Sequence, residues 1–120
     1  SSAMCVQLGD SGGVENTGYL SGCAGITTTA IAGVTATTLF QLMPSNTAGE
    51  LWSGSLILTL SNSSTFKWSA IWNLESATLP YIVWGSGRKA TSAVTDRVRI
   101  TYANGTDTFD AGEINITYET

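Results

Sequence analysis

Gly9-Asp10-Ser11-Gly12-Gly13 is the string with the most chemical promise in this 120-residue chain: a serine set among glycines beside an aspartate is the setting of a nucleophile. A serine hydroxyl attacks a carbonyl only when a neighbouring base takes its proton, and imidazole is the usual base. The chain contains no His, so neither a Ser-His nor a Cys-His pair can form within it. The string therefore reads as a glycine-rich turn, with Asp10 and Ser11 bonding nearby amides. No catalytic residue is assigned, and the chain is read as a non-enzyme.

Carboxylates offer less. Glycoside hydrolysis needs two of them facing one another across a cleft, and the available pairs are Asp10 with Glu15 and Asp107 with Asp110. All four lie in Gly- and Thr-rich turns, where Asp is common for conformational reasons. Asp107 to Gly112 places acidic oxygens at i and i+3 but lacks the loop pattern of a dedicated calcium site. Without imidazole, and with only Cys5 and Cys23, no zinc site is expected; the two cysteines form either one disulfide or two buried thiols. No metal and no cofactor are assigned.

Aromatic rings are the better lead. An indole stacks on the apolar face of a sugar ring and donates through its N–H, which suits Trp to carbohydrate contact. Trp52, Trp68 and Trp72 share a strand phase with Leu56, Leu58 and Ala70 and are assigned to the core. Trp84 and Tyr81 stand at the edge of a loop beginning Gly85-Ser86-Gly87, followed by the only adjacent basic pair, Arg88-Lys89. Tyr81, Trp84, Arg88 and Lys89 are therefore the candidate ligand-binding residues.

The elements that would carry these residues are strands. In Trp52 to Leu60 one face reads Trp, Gly, Leu, Leu, Leu and the other Ser, Ser, Ile, Thr. Phe66 to Trp72 repeats the alternation, and Ser61-Asn62-Ser63-Ser64 between the two predicts a hairpin. Arg97 to Tyr102 puts Val98, Ile100 and Tyr102 inward, Asn104-Gly105 is a favoured turn, and Ile114 to Tyr118 predicts a last strand. Tyr81 to Trp84 predicts a strand opened by Pro80 and stopped by Gly85. Val6 to Leu8, Ile26 to Ile31 and Thr37 to Met43 are weaker strand candidates, and Leu74 to Leu79 is long enough for one helical turn. About eight short strands with regular turn signals predict a single all-β domain over 1–120, an antiparallel β-sandwich of jelly-roll type.

Composition narrows the partners. Ser and Thr number 14 and 18, while charged residues are 12% of the chain, about half of an ordinary domain's share. A net charge of −4 with 5 basic residues argues against nucleic acid and against an anionic membrane surface. Apolar runs of a few residues are too short to span a bilayer, so no membrane insertion is expected.

The segment Thr95-Asp96-Arg97-Val98-Arg99-Ile100-Thr101, with Asn104-Gly105-Thr106-Asp107-Thr108-Phe109-Asp110-Ala111-Gly112-Glu113-Ile114-Asn115-Ile116-Thr117-Tyr118-Glu119, resembles the closing string of C-terminal head domains in tailed-bacteriophage tail fibres and tailspikes. Gln7 to Tyr19 is similar to the opening of the same modules, and gives Gly9 to Gly13 a setting other than that of a nucleophile. The resemblance implies a β-sandwich head at the virion tail tip, outside the cell, usually a homotrimer, recognising bacterial surface polysaccharide. It also allows a trimerisation knob that binds nothing, or an accessory domain of a glycan-degrading tailspike. It assigns no ligand residues.

Overall fold

Period-2 alternation buries one side of each strand, and the sheets of the computed structural model, which describes residues 2–119, follow from that rule. Strands β6 (Trp52–Asn62) and β7 (Lys67–Ser76) form the longest hairpin, in the register Leu56↔Trp72, Leu58↔Ala70 and Leu60↔Trp68. The core-facing row along β7 is Trp68, Ala70, Trp72 and Leu74. Beside β7 lies β8 (Ile82–Ala90), then β3 (Tyr19–Ile26) and β4 (Ile31–Ala36), all antiparallel, in the order β4-β3-β8-β7-β6.

The second sheet is built on β1 (Met4–Asp10). Gly9 pairs with both Val14 and Arg97, so β2 (Gly13–Val14) and β9 (Arg97–Tyr102) flank β1 on opposite sides. The short β5 (Phe40–Gln41) joins β1 on the β2 side, through Cys5 and Val6. Between the sheets lie Val6, Leu8, Tyr19, Phe40, Met43, Trp72, Tyr81 and Val83. The all-β antiparallel sandwich is thus observed, with nine strands among the described residues.

Glycines explain where the strand boundaries depart from the pattern. The sequence predicts that Gly85-Ser86-Gly87 stops the strand, but β8 runs straight through it to Ala90. Side-chain bulk is what Gly85 and Gly87 must lack: a Cβ on Gly85 would enter the Trp72 ring, and one on Gly87 would press on Phe40. Gly25 on β3 lies under Tyr81 in the same manner. Three glycines on the inner face therefore make room for three rings, and the edge-on Tyr19–Phe40 pair, 5.1 Å between centroids, packs beside them.

Other differences have local causes. Ile26 to Ile31 is not one strand: Thr27 Oγ1 accepts from the amide of Ala30 at 3.1 Å and closes a turn between β3 and β4. Of Thr37 to Met43 only Phe40 and Gln41 are strand, and Leu74 to Leu79 makes no helical turn because β7 continues to Ser76. Phe66 leaves the core row and takes a left-handed backbone, φ 54°, in the β6–β7 turn. The strand expected at Ile114 to Tyr118 is absent: the segment is unpaired and its apolar side chains are exposed.

Candidate functional site

The outward side of the five-stranded sheet can be written row by row from its register. At one end, Ile31, Ile26, Ile82, Glu75 and Ser53 stand abreast on β4, β3, β8, β7 and β6. The next row is Gly33, Ala24, Trp84, Asn73 and Ser55, and after it Thr35, Gly22, Ser86, Ile71 and Ile57. Leu20, Arg88, Ser69 and Thr59 follow. Trp84, 44% exposed, is thus a single large ring with Ala24, Gly22 and Gly33 on its β3–β4 side and the exposed Ile82, Ile71 and Ile57 in the neighbouring rows. The two central rows line an open concavity of about 950 Å³. On its polar side Ser55 Oγ donates to Asn73 Oδ1 at 3.3 Å, and in the row outside it Ser53 Oγ donates to Glu75 Oε1 at 3.2 Å. Such a surface offers a ring for stacking, with hydroxyl and amide groups within a strand's width of it.

Strand alternation divides the four residues predicted to bind ligand. Trp84 and Arg88 share the outward face, four residues or about 13 Å apart along β8. Tyr81 does not join them. It is buried, packs edge-on against Trp52 at 5.2 Å between centroids, and covers Gly25. Lys89 does not join them either. Only 4% exposed, it points between the sheets, where its ammonium meets Glu15 Oε1 at 2.7 Å, donates to the Thr17 carbonyl at 2.8 Å and lies 5.1 Å from the Tyr19 ring centroid. The pairing of Arg88 with Lys89 assumed a loop, and that of Tyr81 with Trp84 joined residues three apart, which alternation turns to opposite faces. In a strand, neighbours in sequence face opposite ways.

The interior charge cluster also settles the fate of Gly9 to Gly13. Asp10 ends β1, and its Oδ1 accepts the Gly12 amide at 2.9 Å as the chain turns into β2. Its Oδ2 accepts the Ser92 hydroxyl at 2.6 Å and the Ala93 amide at 2.9 Å. Glu15 Oε2 lies 2.9 Å from the same Ser92 hydroxyl and accepts the Ser92 amide at 2.9 Å. The Ser92 bond, followed by the Gly12 amide and Glu15, holds the Asp10 carboxyl down to about 2. Asp10 and Glu15 are brought together as the sequence pairing suggested, but onto the one Ser92 hydroxyl rather than across a cleft, and the Lys89 ammonium pairs with Glu15. They fasten the β1–β2 turn to the segment after β8.

Other reactive groups are equally occupied. The Tyr19 hydroxyl accepts the Leu8 amide and donates to the Glu15 carbonyl, both at 2.8 Å, and burial pushes its pKa up to about 12. Cys5 and Cys23 are free, buried thiols whose pKa burial raises to about 11. Asp107 Oδ2 accepts the Ser2 amide at 3.0 Å, a bond that draws the segment after β9 toward the N-terminus.

No protein-family model matches the chain, and no curated protein or solved structure matches it. The site therefore rests on geometry. Sequence reading singled out Trp84 and Arg88 but passed over Asn73, Ser55, Ser86 and the small residues Gly22, Ala24 and Gly33. The signal for the β6 and β7 members was present: Ser53, Ser55, Ile57 and Thr59 form the outward phase of β6. Which strands lie beside Trp84 is a matter of sheet order, which periodicity does not contain.

Proposed function

We propose that this domain is a non-enzymatic, carbohydrate-recognising head of a phage tail fibre or tailspike, exposed at the virion tail tip and working as a homotrimer on bacterial surface polysaccharide. The observation that carries the glycan part is the outward Trp84, with small residues on its β3–β4 side and Asn73 and Ser86 flanking it. A sugar ring stacks on a bare indole only where neighbouring side chains are short enough to let it approach. Ala24 abreast of Trp84, with Gly22 and Gly33 beyond, satisfies that condition on the β3–β4 side, while Ile82 and Ile71 border the ring on β8 and β7. Low charge agrees with it, because neutral hydroxyls and amides bond sugars without the cost of desolvating ions. The phage assignment itself rests on the terminal strings.

Titration of the intact protein with host surface polysaccharide, or a glycan array, tests the proposal. Binding that Trp84→Ala weakens tenfold or more, about 1.4 kcal/mol, with the melting temperature unchanged, supports it. Binding that the substitution leaves intact moves the site elsewhere. Absence of binding to every glycan favours the second reading, a trimerisation knob, for which the exposed row Ile31-Ile26-Ile82 and the unpaired segment after β9 speak.

A further inference from the structure

The chain holds two incomplete halves of a β-ladder. One is the outer edge of β9: its inner edge pairs with β1 along Arg97 to Tyr102, and among the described residues no strand lies on the other side. Val98 stands opposite Leu8, a core residue, and so faces the interior by register, yet it is 48% exposed. The sheet stops one strand short of covering it. The other half is the segment from Glu113 to Glu119. Ile114, Ile116 and Tyr118 alternate on one face and are 62%, 72% and 87% exposed, a costly display for a segment of strand periodicity.

The two halves do not meet within one molecule. A hairpin at Asn104-Gly105 would fold the segment back along β9, but the turn is held otherwise. Asn104 Oδ1 accepts the amides of Thr106 and Asp107 at 3.0 Å, Asn104 N donates to Ser2 Oγ at 3.0 Å, and Asp107 takes the Ser2 amide. Phe109 stacks on Tyr102 at 4.7 Å between centroids. These contacts lead the chain past the β1 side of β9, away from its free edge.

We infer that Glu113 to Glu119 adds as a strand to the outer edge of β9 in a second copy of this chain. Patterns on both faces match. With Ile114 and Ile116 turned to the core side, they extend the row of Val98 and Ile100. The opposite face then sets Glu113 and Glu119 toward the row of Arg97, whose Nε already donates to Asp96 at 2.7 Å, and Arg99, two of the chain's 5 basic residues. Opposite charges on one sheet face stabilise a strand pair, and a neutral partner chain would not supply them. Since every copy carries both halves, reciprocal or cyclic exchange of the segment engages both in a closed oligomer. This deepens the oligomeric part of the proposed function and is independent of the glycan surface.

Light scattering on the intact chain and on Ile114→Ser/Ile116→Ser tests it, with hydrogen exchange followed in β9 and residues 113–119. The intact chain is expected to be an oligomer and the double variant a monomer, with exchange in both segments at least tenfold faster. Near-UV circular dichroism should stay the same, since neither isoleucine is in the core. An oligomer that survives the double substitution overturns strand exchange while leaving a trimeric head possible. A monomeric intact chain overturns both, and a monomer with protected 113–119 amides shows pairing within one molecule instead. Glu113→Lys/Glu119→Lys should weaken association, and no change there counts against the charge pairing.

Discussion

Trp72 and Trp84 stand on neighbouring strands of one sheet, and their surroundings could hardly differ more. Trp72 points inward, 2% exposed, over the bare backbone of Gly85, with its indole N–H donating to the Leu42 carbonyl at 3.1 Å. Trp84 points outward, with small side chains on its β3–β4 side and the exposed Ile82 and Ile71 along β8 and β7. The same division separates Lys89 from Arg88, adjacent in sequence: one is clamped by Glu15 and Thr17, the other lies in solvent. Glycine serves both faces, admitting protein rings on the inside and, in the proposed function, a ligand ring on the outside. Residue type therefore says little about role here, and the face decides.

Substitutions can break that comparison. The largest effect is expected from Trp72→Ala, which removes a buried ring and its hydrogen bond and should cost about 3–5 kcal/mol in urea unfolding. Trp84→Ala should cost under about 0.5 kcal/mol in the same measurement, as a surface change. Equal losses would show that the two faces are not distinct. Next comes Lys89→Ala, which leaves Glu15 without its cation and should destabilise by about 3 kcal/mol. Arg88→Ala should stay within about 0.5 kcal/mol. If both changes prove harmless, Lys89 does not hold the sheets together.

Acid should loosen the inner cluster before the outer face notices. The Asp10 carboxyl is held at about 2, below its ordinary 3.8, so its contribution is complete above about pH 4 and fades as pH falls toward 2. Asp96 and Asp107, also lowered by their hydrogen bonds, add to the same slope. The melting temperature should fall between pH 4 and 2, and Asp10→Asn should flatten that fall. The smallest effect concerns Cys5 and Cys23, which should resist a thiol reagent at pH 8 until the protein unfolds. Rapid labelling of the native protein would place one of them outside the core.

Much of the fold was legible. The β6–β7 hairpin and β9 carried alternation strong enough to name their faces, because a half-buried strand must repeat every second residue. Gly85 and Gly87 misled for a physical reason: glycine marks a turn when it supplies conformational freedom, but here it supplies space. Lys89 was misplaced by the same error, since a loop beginning at Gly85 would have left it at the surface, whereas Tyr81 was misplaced because alternation sets it opposite Trp84. Ile114 to Tyr118 had the pattern of a strand and no partner within the chain to complete one.

By itself the sequence determined the class of fold, the low charge, the want of an imidazole base and the phase of the strongest strands, all of which are local or compositional. Only the tertiary structure decided that Gly33, Ala24, Trp84, Asn73 and Ser55 form one row, that Asp10, Glu15, Ser92 and Lys89 meet, and that β9 keeps an open edge. Strand order and register join residues tens of positions apart. Those pairings follow from how two sheets bury their rings together, a property of the whole chain that no stretch of it records.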